Sequence, residues 1–218
     1  MEEATSDPMT IAKSISKNDI VLTGATGLCA GANLRTPIGE RRVEFLRKGD
    51  LVVTRDNGLQ PVRLIWQHEI SEAEIAADPS LAPVHLNTRA IGPMMPSRPL
   101  KVGGAHRLLI PGWRLLDEDD AENCLVPARD VDGVSLGNET EASVATYYNI
   151  VFDEPQVFCA NGMPVESFVP CADTLPLIPA DVQADLRALF PNLGPEFAEY
   201  PAPPYKARQR VSYTPNFA

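Results

Sequence analysis

No stretch of the 218-residue chain reaches the roughly 18 consecutive apolar residues that a membrane-spanning helix needs. The start, MEEATSDPMT, is acidic, whereas a cleavable secretory signal begins with basic residues. Basic residues are scarce throughout, because 19 Lys and Arg stand against 29 Asp and Glu and give a formal charge of −10. This charge opposes binding to phosphate backbones and anionic lipid. We therefore expect no nucleic-acid or membrane partner, and a location in the cytoplasm or outside the cell by a route without such a signal.

Cysteine and histidine are also few, and their spacing favours no metal site. The four cysteines contain no CxxC pair, and the three histidines form no HxH or HxxxH pair. A chain of this length buries a core without cross-links, so free thiols are favoured over disulfides. The sequence GATGLCAG has the glycines of a phosphate-binding loop but not the helix that follows one. We expect neither a metal nor another cofactor.

What the chain does contain is proline, with 21 residues against 14 glycines, which indicates short elements and a β-rich fold. Asp56-Asn57-Gly58 predicts a tight hairpin turn, with residues 61–70 as the returning strand. Residues 43–46 are predicted to form a strand that precedes this hairpin. Asn161-Gly162 predicts a second tight turn, and cyclisation of the asparagine to a succinimide is the weaker reading of that pair.

The pattern divides the chain into three parts. Residues 1–18 are polar and predict a flexible N-terminal arm, and residues 19–172 carry the strand-like runs. Residues 173–218 contain one amphipathic helix, PADVQADLRALFPNL, followed by an extended tail. The apolar residues that share one face of this helix are Val182, Leu186, Leu189 and Phe190.

Cys29 and His106 are the candidates for chemistry. A thiol acts as a nucleophile only where its pKa is lowered or a base removes its proton, and histidine is the side chain best suited to that near neutral pH. Cysteine is also among the most often buried residue types, so a small core residue is the favoured interpretation of Cys29 taken alone. The sequence leaves His106 open between a structural and a functional role.

Several ordered blocks resemble one family. TPIGERRVEFLRKGDLVVTRDNGLQPVRLIW, LKVGGAHRLLIPG, CLVPAR and YYNIVFDEPQVFCANGMPVESF are similar to successive blocks of the bacterial Hedgehog/intein (Hint) domain family. The resemblance implies an all-β fold of bent strands with pseudo-twofold symmetry. It also implies cleavage of the peptide bond before a cysteine, whose thiol attacks the preceding carbonyl. A Thr/Ser-x-x-His block would supply a hydroxyl for that carbonyl and a histidine for the leaving nitrogen.

Position by position, this chain departs from the family pattern. Counted back from Thr36-Pro37, the nucleophile position falls on Gly27, and Cys29 lies two residues beyond it. The histidine block GGAH keeps His106 but has Gly103 at the hydroxyl position. Many family members carry a further histidine a few residues after the Tyr-Asn-Ile strand, but the corresponding residues 153–156 contain none. Glu166-Ser167 stands where inteins end in His-Asn.

Two functions remain open from the sequence. In the first, self-processing has decayed and the domain has a binding or structural role, with a protein as its partner. In the second, the domain cleaves itself before Cys29 by an N-to-S acyl shift assisted by His106, as an autocatalytic cysteine-dependent domain. The three departures at Gly27, Gly103 and residues 153–156 favour the first, because each removes a group that the acyl shift requires.

Overall fold

The computed structural model describes residues 24–115, 122–132, 144–194, 196–208 and 211–212, and the arm predicted for residues 1–18 lies outside them. The described chain is built mainly of short strands. Its two α-helices are α1 (Glu72–Ala77) and α2 (Ala180–Leu189), and no helix within these ranges is long and apolar enough to cross a membrane. The strands are β1 (Leu28–Cys29), β2 (Asn33–Thr36), β3 (Gly39–Arg42), β4 (Leu51–Val53), β5 (Leu59–Pro61), β6 (Leu64–Ile70), β7 (Pro83–Leu86), β8 (Leu100–Gly103), β9 (Arg107–Ile110), β10 (Cys124–Pro127), β11 (Val131–Asp132), β12 (Ala145–Val151), β13 (Val157–Ala160), β14 (Met163–Glu166), β15 (Lys206–Ala207) and β16 (Val211–Ser212).

Two larger sheets organise these strands. One has the order β6-β12-β1-β8-β7, and the other has the order β15-β10-β9-β14-β13-β2-β3. The short strand β1 lies in the centre of the first sheet, where it pairs antiparallel with β12 on one side and β8 on the other. The sequence around residue 27 is therefore held in the middle of a sheet rather than at an edge.

Both predicted hairpin turns are present. Asn161 and Gly162 join β13 to β14 with φ of 49° and 83°, the left-handed conformation that asparagine and glycine tolerate in a tight turn. The turn at residues 56–58 joins β4 to β5, but the predicted returning strand at 61–70 is wrong in its extent. The chain changes partner after Pro61, since the Arg63 amide donates to the Val151 carbonyl and β6 then pairs with β12.

Residues 43–46 do not form the predicted strand. Val43–Phe45 is a single 3-10 turn, in which the Leu46 amide donates to the Val43 carbonyl at 3.1 Å. Val43 and Leu46 are fully buried, whereas Phe45 is exposed. A 3-10 turn places Val43 and Leu46 on the same side of the chain, whereas a strand would place them on opposite faces.

The C-terminal segment belongs to the core. Helix α2 buries Val182 and Leu186, as the sequence pattern predicts, against a hydrophobic cluster that contains Trp66 and Phe168. The rings of Trp66 and Phe168 meet edge to face at 4.8 Å. The Tyr200 hydroxyl donates to the Phe152 carbonyl at 2.9 Å. The segment beyond residue 172 and the first sheet therefore share one hydrophobic cluster.

Candidate functional site

The structure brings His106 to Gly27. The Gly27 amide, just before β1, donates a hydrogen bond to His106 Nδ1 at 3.2 Å. Backbone bonds hold the two segments together, since the Gly103 amide donates to the Gly27 carbonyl and the Ala105 amide donates to the Ala25 carbonyl, each at 2.9 Å. The histidine of the GGAH block thus faces the amide nitrogen of Gly27, the residue that the resemblance aligns with the family's nucleophile.

His106 is buried and neutral. Burial, assisted by the neighbouring Arg107 guanidinium, lowers its pKa to about 4. Because Nδ1 accepts from the Gly27 amide, the neutral ring carries its proton on Nε2. This nitrogen is buried without a hydrogen-bond partner among the residues that the structure describes. At neutral pH His106 is therefore a hydrogen-bond acceptor toward Gly27 rather than a proton donor.

The space beside Gly27 is occupied. Its φ of +115° lies in the region that side-chain-bearing residues rarely adopt. A Cβ atom placed there would lie 2.9 Å from the Tyr148 carbonyl oxygen, 3.0 Å from Asn149 Nδ2 and 3.2 Å from Tyr147 Cβ. The resemblance predicts a nucleophile at the position of Gly27, and in the structure atoms of β12 lie where a side chain on this residue would begin.

Gly103 is packed still more tightly. A Cβ atom on this residue would lie 2.3 Å from the Ala25 carbonyl oxygen. On the next residue, Gly104, the nearest atom to an added Cβ would be Arg129 Cβ at 3.6 Å, which is an ordinary contact. The backbone of the segment that precedes Gly27 thus leaves no room for a side chain at Gly103, which the resemblance aligns with the family's hydroxyl residue.

Cys29 lies in a different environment from His106. It is opposite Tyr147 in the β1–β12 pairing and packs in a cluster with Ile70 and Ile75. Burial raises the pKa of the thiol to about 12, although the charge of Lys101 acts in the opposite direction. A thiol with this pKa stays protonated at neutral pH, which is the state of an inert core cysteine.

Polar residues that the sequence analysis did not select surround the Gly27–His106 contact. The Asn149 side chain accepts from the Thr26 hydroxyl at 3.2 Å and donates to the Thr26 carbonyl at 3.3 Å. The Arg107 guanidinium pairs with the Glu166 carboxylate at 3.1 Å. Asn149 is a polar residue within the mostly apolar strand sequence YYNIV. This irregularity is the sequence feature that could have indicated Asn149 as a site residue.

The Glu166 carboxyl of the ion pair with Arg107 is buried. Burial raises the pKa of its carboxyl to about 7, and the Arg107 charge and hydrogen bond offset only part of the effect. Within the described ranges, no group of three or more His, Cys, Asp or Glu side chains is placed to hold a metal ion. The site combines one neutral imidazole, one guanidinium and one carboxyl that titrates near neutral pH.

The solved structures that match this chain include inteins and an intein-like domain. A bacterial intein-like domain from Clostridium thermocellum is 14% identical, with 66% of this chain and 100% of that chain covered and a TM-score of 0.38. The gp41-1 intein is 13% identical, with 65% and 98% covered and a TM-score of 0.37. The MchDnaB-1 intein is 12% identical, with 63% and 98% covered and a TM-score of 0.37. No curated protein matches the chain.

The family assignment rests on the sequence model of the Hint domain, which matches residues 26–172. This range begins one residue before Gly27 and covers more than half of the 218 residues. The all-β, Hint-type fold expected from the sequence is confirmed. The chain belongs to the Hint domain family and is thereby related to self-splicing domains.

Proposed function

We propose that this Hint domain no longer processes its own chain and that its β scaffold has a binding or structural role. The observation that carries the proposal is the environment of Gly27. The Gly27 amide donates a hydrogen bond to His106 Nδ1 at 3.2 Å. A Cβ atom added to Gly27 would lie 2.9 Å from the Tyr148 carbonyl oxygen, so a nucleophilic side chain has no room there. An acyl shift needs an attacking atom at this point, and the site has neither the atom nor room for it.

The proton balance at His106 supports the same conclusion. Cleavage of an amide requires a proton on the leaving nitrogen. His106 Nδ1 instead accepts the Gly27 amide hydrogen, and a pKa of about 4 leaves the ring neutral at physiological pH. The contact therefore provides an acceptor for the buried Gly27 amide. Loss of this acceptor would lower the free energy of unfolding by roughly 1–3 kcal/mol.

The carbonyl side of the Thr26–Gly27 bond also lacks its helper. The family's hydroxyl position is Gly103, where an added Cβ would lie 2.3 Å from the Ala25 carbonyl oxygen. The Thr26 carbonyl accepts one hydrogen bond, at 3.3 Å, from the neutral amide of Asn149. A single long bond from a neutral donor stabilises an oxyanion poorly compared with a preorganised set of donors.

The downstream end of the domain supports retention of the chain. Glu166 and Ser167 occupy the place of the terminal His-Asn, and the Ser167 hydroxyl accepts from the Gln156 amide at 3.0 Å. The residues after this point form part of the core, since Leu186 and Phe197 are fully buried in the cluster with Trp66. Release of this segment would expose that cluster, so its packing favours a permanently attached C-terminal part.

Self-cleavage before Cys29 is the less supported function. The Leu28-Cys29 bond lies within β1, which is paired on both sides, and the thiol lies against Tyr147. A pKa of about 12 leaves only about one thiol in 10⁴ or fewer ionised at pH 7 to 8. The groups that would attack and assist are separated into two environments.

The role that remains for the scaffold involves a protein partner. The formal charge of −10 opposes nucleic acid and anionic lipid. A partner with a basic surface would instead gain from this charge during association.

The decisive experiment is an attempt to detect cleavage. A carrier protein is fused upstream of residue 1, and the purified fusion is incubated with dithiothreitol or hydroxylamine at pH 7 to 8. Intact-mass spectrometry should find only the full-length fusion, because no group at the site can form or resolve a thioester.

The controls identify the source of any cut. Cys29→Ala removes the alternative nucleophile, and His106→Asn keeps an acceptor for the Gly27 amide but cannot transfer a proton. A cut before Cys29 that disappears in Cys29→Ala would establish the alternative function. A cut between Thr26 and Gly27 in any of these proteins would also refute the proposal.

A further inference from the structure

Strand β3 lies at one edge of the second sheet. It pairs antiparallel with β2, and no strand among the described residues pairs with its other side. The Val43 amide, just after β3, donates to the Ala32 carbonyl, just before β2, at 2.8 Å. Alternate residues of an antiparallel strand bond to the same neighbour, so Arg41 also faces β2. The backbone amide and carbonyl groups of Glu40 and Arg42 therefore point away from the sheet.

The bonding of β2 supports this orientation. Asn33 lies opposite Arg42, and its amide and carbonyl both bond Asn161 on the far side of β2 rather than β3. Apart from the ladder with β2, neither Glu40 nor Arg42 forms a backbone hydrogen bond within the ranges that the structure describes. Both residues are exposed. The outer side of β3 is therefore an open sheet edge, to which an extended peptide can add as a further strand.

The surface around this edge is basic, although the chain as a whole is acidic. Residues 35–50 contain five Arg and Lys against three Asp and Glu, whereas the whole chain contains 19 against 29. Arg35 and Lys48 form no side-chain hydrogen bond or ion pair in the part of the chain that the structure describes. The three carboxylates, in contrast, each have a partner at 3.0 Å or less: Glu40 with Arg98, Asp50 with Arg41, and Glu44 with the Gly31 amide.

Exposed apolar side chains lie at both ends of β3. Ile38, in the turn before the strand, is 88% exposed, and Phe45, in the 3-10 turn after it, is 56% exposed. Ile38 is the most exposed large apolar side chain among those that the structure describes. A peptide slightly longer than β3 would remove both side chains from water, which favours its binding.

We propose that β3 is the docking edge for an extended, acidic peptide segment of a partner protein, which adds to the sheet as a further strand. Its backbone would bond the outward groups of Glu40 and Arg42, and its acidic side chains would face the basic side chains that border the strand. At about 3.3 Å per residue, pairing from Ile38 to Phe45 requires about six to eight residues. The inference rests on the proposed function, because that function requires a protein partner.

Charge favours this occupant over two others. Charged side chains on an edge strand oppose pairing between copies, and two basic edges repel each other. A nucleic acid has the required charge but not the N–H and C=O groups of a strand. The Debye length is about 8 Å at physiological ionic strength, so a bound peptide responds to the residues around β3. The charge of −10 on the whole chain instead acts on the first approach of a partner.

The test measures binding of a probe peptide to the full chain labelled with ¹⁵N. The probe has leucine at each end, three glutamates at alternate positions and valine between them. The Glu40 and Arg42 amide signals should shift saturably in ¹H–¹⁵N spectra. Hydrogen exchange at these two amides should slow on binding, because each gains an acceptor. The Arg41 amide, which already faces β2, is the internal control and should change less.

Three altered probes separate charge from backbone pairing. A probe with lysine in place of glutamate should bind at least tenfold more weakly, because its charge has the same sign as the surface. Two further probes are N-methylated at one or the other alternate set of amides, and only one set can face β3. One of these two should bind like the parent probe, and the other at least tenfold more weakly.

Variants at Arg42 make the same separation on the chain. Arg42 has φ of −67°, which proline adopts without strain, and its amide points outward. Arg42→Ala removes the charge, whereas Arg42→Pro also removes the outward donor and should bind the probe at least fivefold more weakly than Arg42→Ala. Arg42→Glu should weaken binding further than Arg42→Ala. Lys206→Glu, on β15 at the opposite edge of the sheet, is the matched charge control and should bind normally.

Several results would overturn the proposal. These are no saturable shift with the glutamate probe, equal binding of the glutamate and lysine probes, and equal binding by Arg42→Ala and Arg42→Pro. A dimer of the free chain that is lost in Arg42→Pro would assign the edge to a second copy, and tighter binding of single-stranded DNA would assign it to nucleic acid. Intact mass of the same sample reports cleavage separately. A cleaved chain that binds the probe contradicts only the proposed function, and an intact chain that does not bind contradicts only this inference.

Discussion

His106 and Gly27, 79 positions apart in the sequence, are joined by a hydrogen bond from the glycine amide to the imidazole Nδ1 at 3.2 Å. This contact has a calculable pH dependence. The folded-state pKa of His106, about 4, lies below the ordinary value of 6.5, so the unfolded chain takes up the proton first as the pH falls. The contribution of His106 is complete above pH 6.5 and is lost toward pH 4, on the order of 3 kcal/mol.

Glu166 acts with the opposite sign. Its folded-state pKa, about 7, lies above the ordinary 4.5, so the folded chain takes up this proton first and gains stability as the pH falls from 7 to 4.5. We expect His106→Asn to remove the first effect and Glu166→Gln to remove the second. Urea unfolding between pH 7.5 and 4.5 should therefore show that acidification destabilises Glu166→Gln more, and His106→Asn less, than the wild-type chain. Parallel curves for all three proteins would contradict both assignments.

Gly27→Ala should destabilise the fold by about 2–4 kcal/mol, because the substitution combines an unfavourable φ with contacts to Tyr148 and Asn149. Gly31→Ala is the matched control. Gly31 has a similar φ of +89° but nothing within 4 Å of an added Cβ, so only the conformational cost of about 1–2 kcal/mol applies. Equal losses in urea unfolding would mean that the space beside Gly27 is not closed.

A second matched pair tests the hydroxyl position. Gly103→Ala places a Cβ against the Ala25 carbonyl at 2.3 Å, so we expect a loss of about 3 kcal/mol or a chain that does not fold. Gly104→Ala meets nothing closer than 3.6 Å and should change stability by less than about 1 kcal/mol. The two variants are expressed in parallel, and their stabilities are compared by thermal unfolding followed by circular dichroism. A well-folded Gly103→Ala protein would show that the segment at Ala25 moves aside easily.

Cys29 should resist alkylation in the folded chain. With the thiol buried and its pKa raised to about 12, iodoacetamide at pH 8 should label Cys29 at least a hundredfold more slowly than in 6 M guanidinium. Cys171 is only half-buried and provides the internal reference within the same digest. Peptide mass mapping over time measures both rates. Rapid labelling of Cys29 would indicate an accessible thiolate and reopen the alternative function.

Truncation after residue 172, where the family match ends, should unfold or aggregate the domain. The cut removes α2, Phe197 and Tyr200 from the cluster that buries Trp66. In a Trp113→Phe background Trp66 is the only tryptophan, and its emission, excited at 295 nm, should move to the red. The milder Tyr200→Phe removes only the bond to the Phe152 carbonyl and should cost about 1 kcal/mol in urea unfolding. A stable truncated domain with unshifted emission would show that the segment is dispensable.

Features encoded locally could be predicted from the sequence. The Asn161-Gly162 turn and helix α2 depend on residues close together in the chain, and both are present. The 3-10 turn at Val43 and the change of partner after Pro61 were missed, because each depends on what lies across the sheet. Propensity does not specify which neighbouring strand supplies the next hydrogen bond.

The candidate site divides in the same way. The resemblance to the family predicts that Gly27 and Gly103 stand where the nucleophile and the hydroxyl would be, and that His106 is the family histidine. The sequence could not reveal that neighbouring backbone fills the space beside both glycines, nor that Arg107 and Glu166 pair beside the histidine. Those facts depend on atoms more than fifty positions apart, and only the folded chain brings them together.

The filled space beside the two glycines also bears on reversibility. Under the proposed loss of self-processing, a single mutation that introduced cysteine at Gly27 or threonine at Gly103 would meet backbone atoms at 3.0 Å or less, so each step alone would lower stability. A side chain at both positions would require the β12 backbone to move away from Gly27 and the Ala25 segment to move away from Gly103. Under the proposed function, the backbone packed beside Gly27 and Gly103 therefore makes each single substitution toward a self-cleaving centre destabilising on its own.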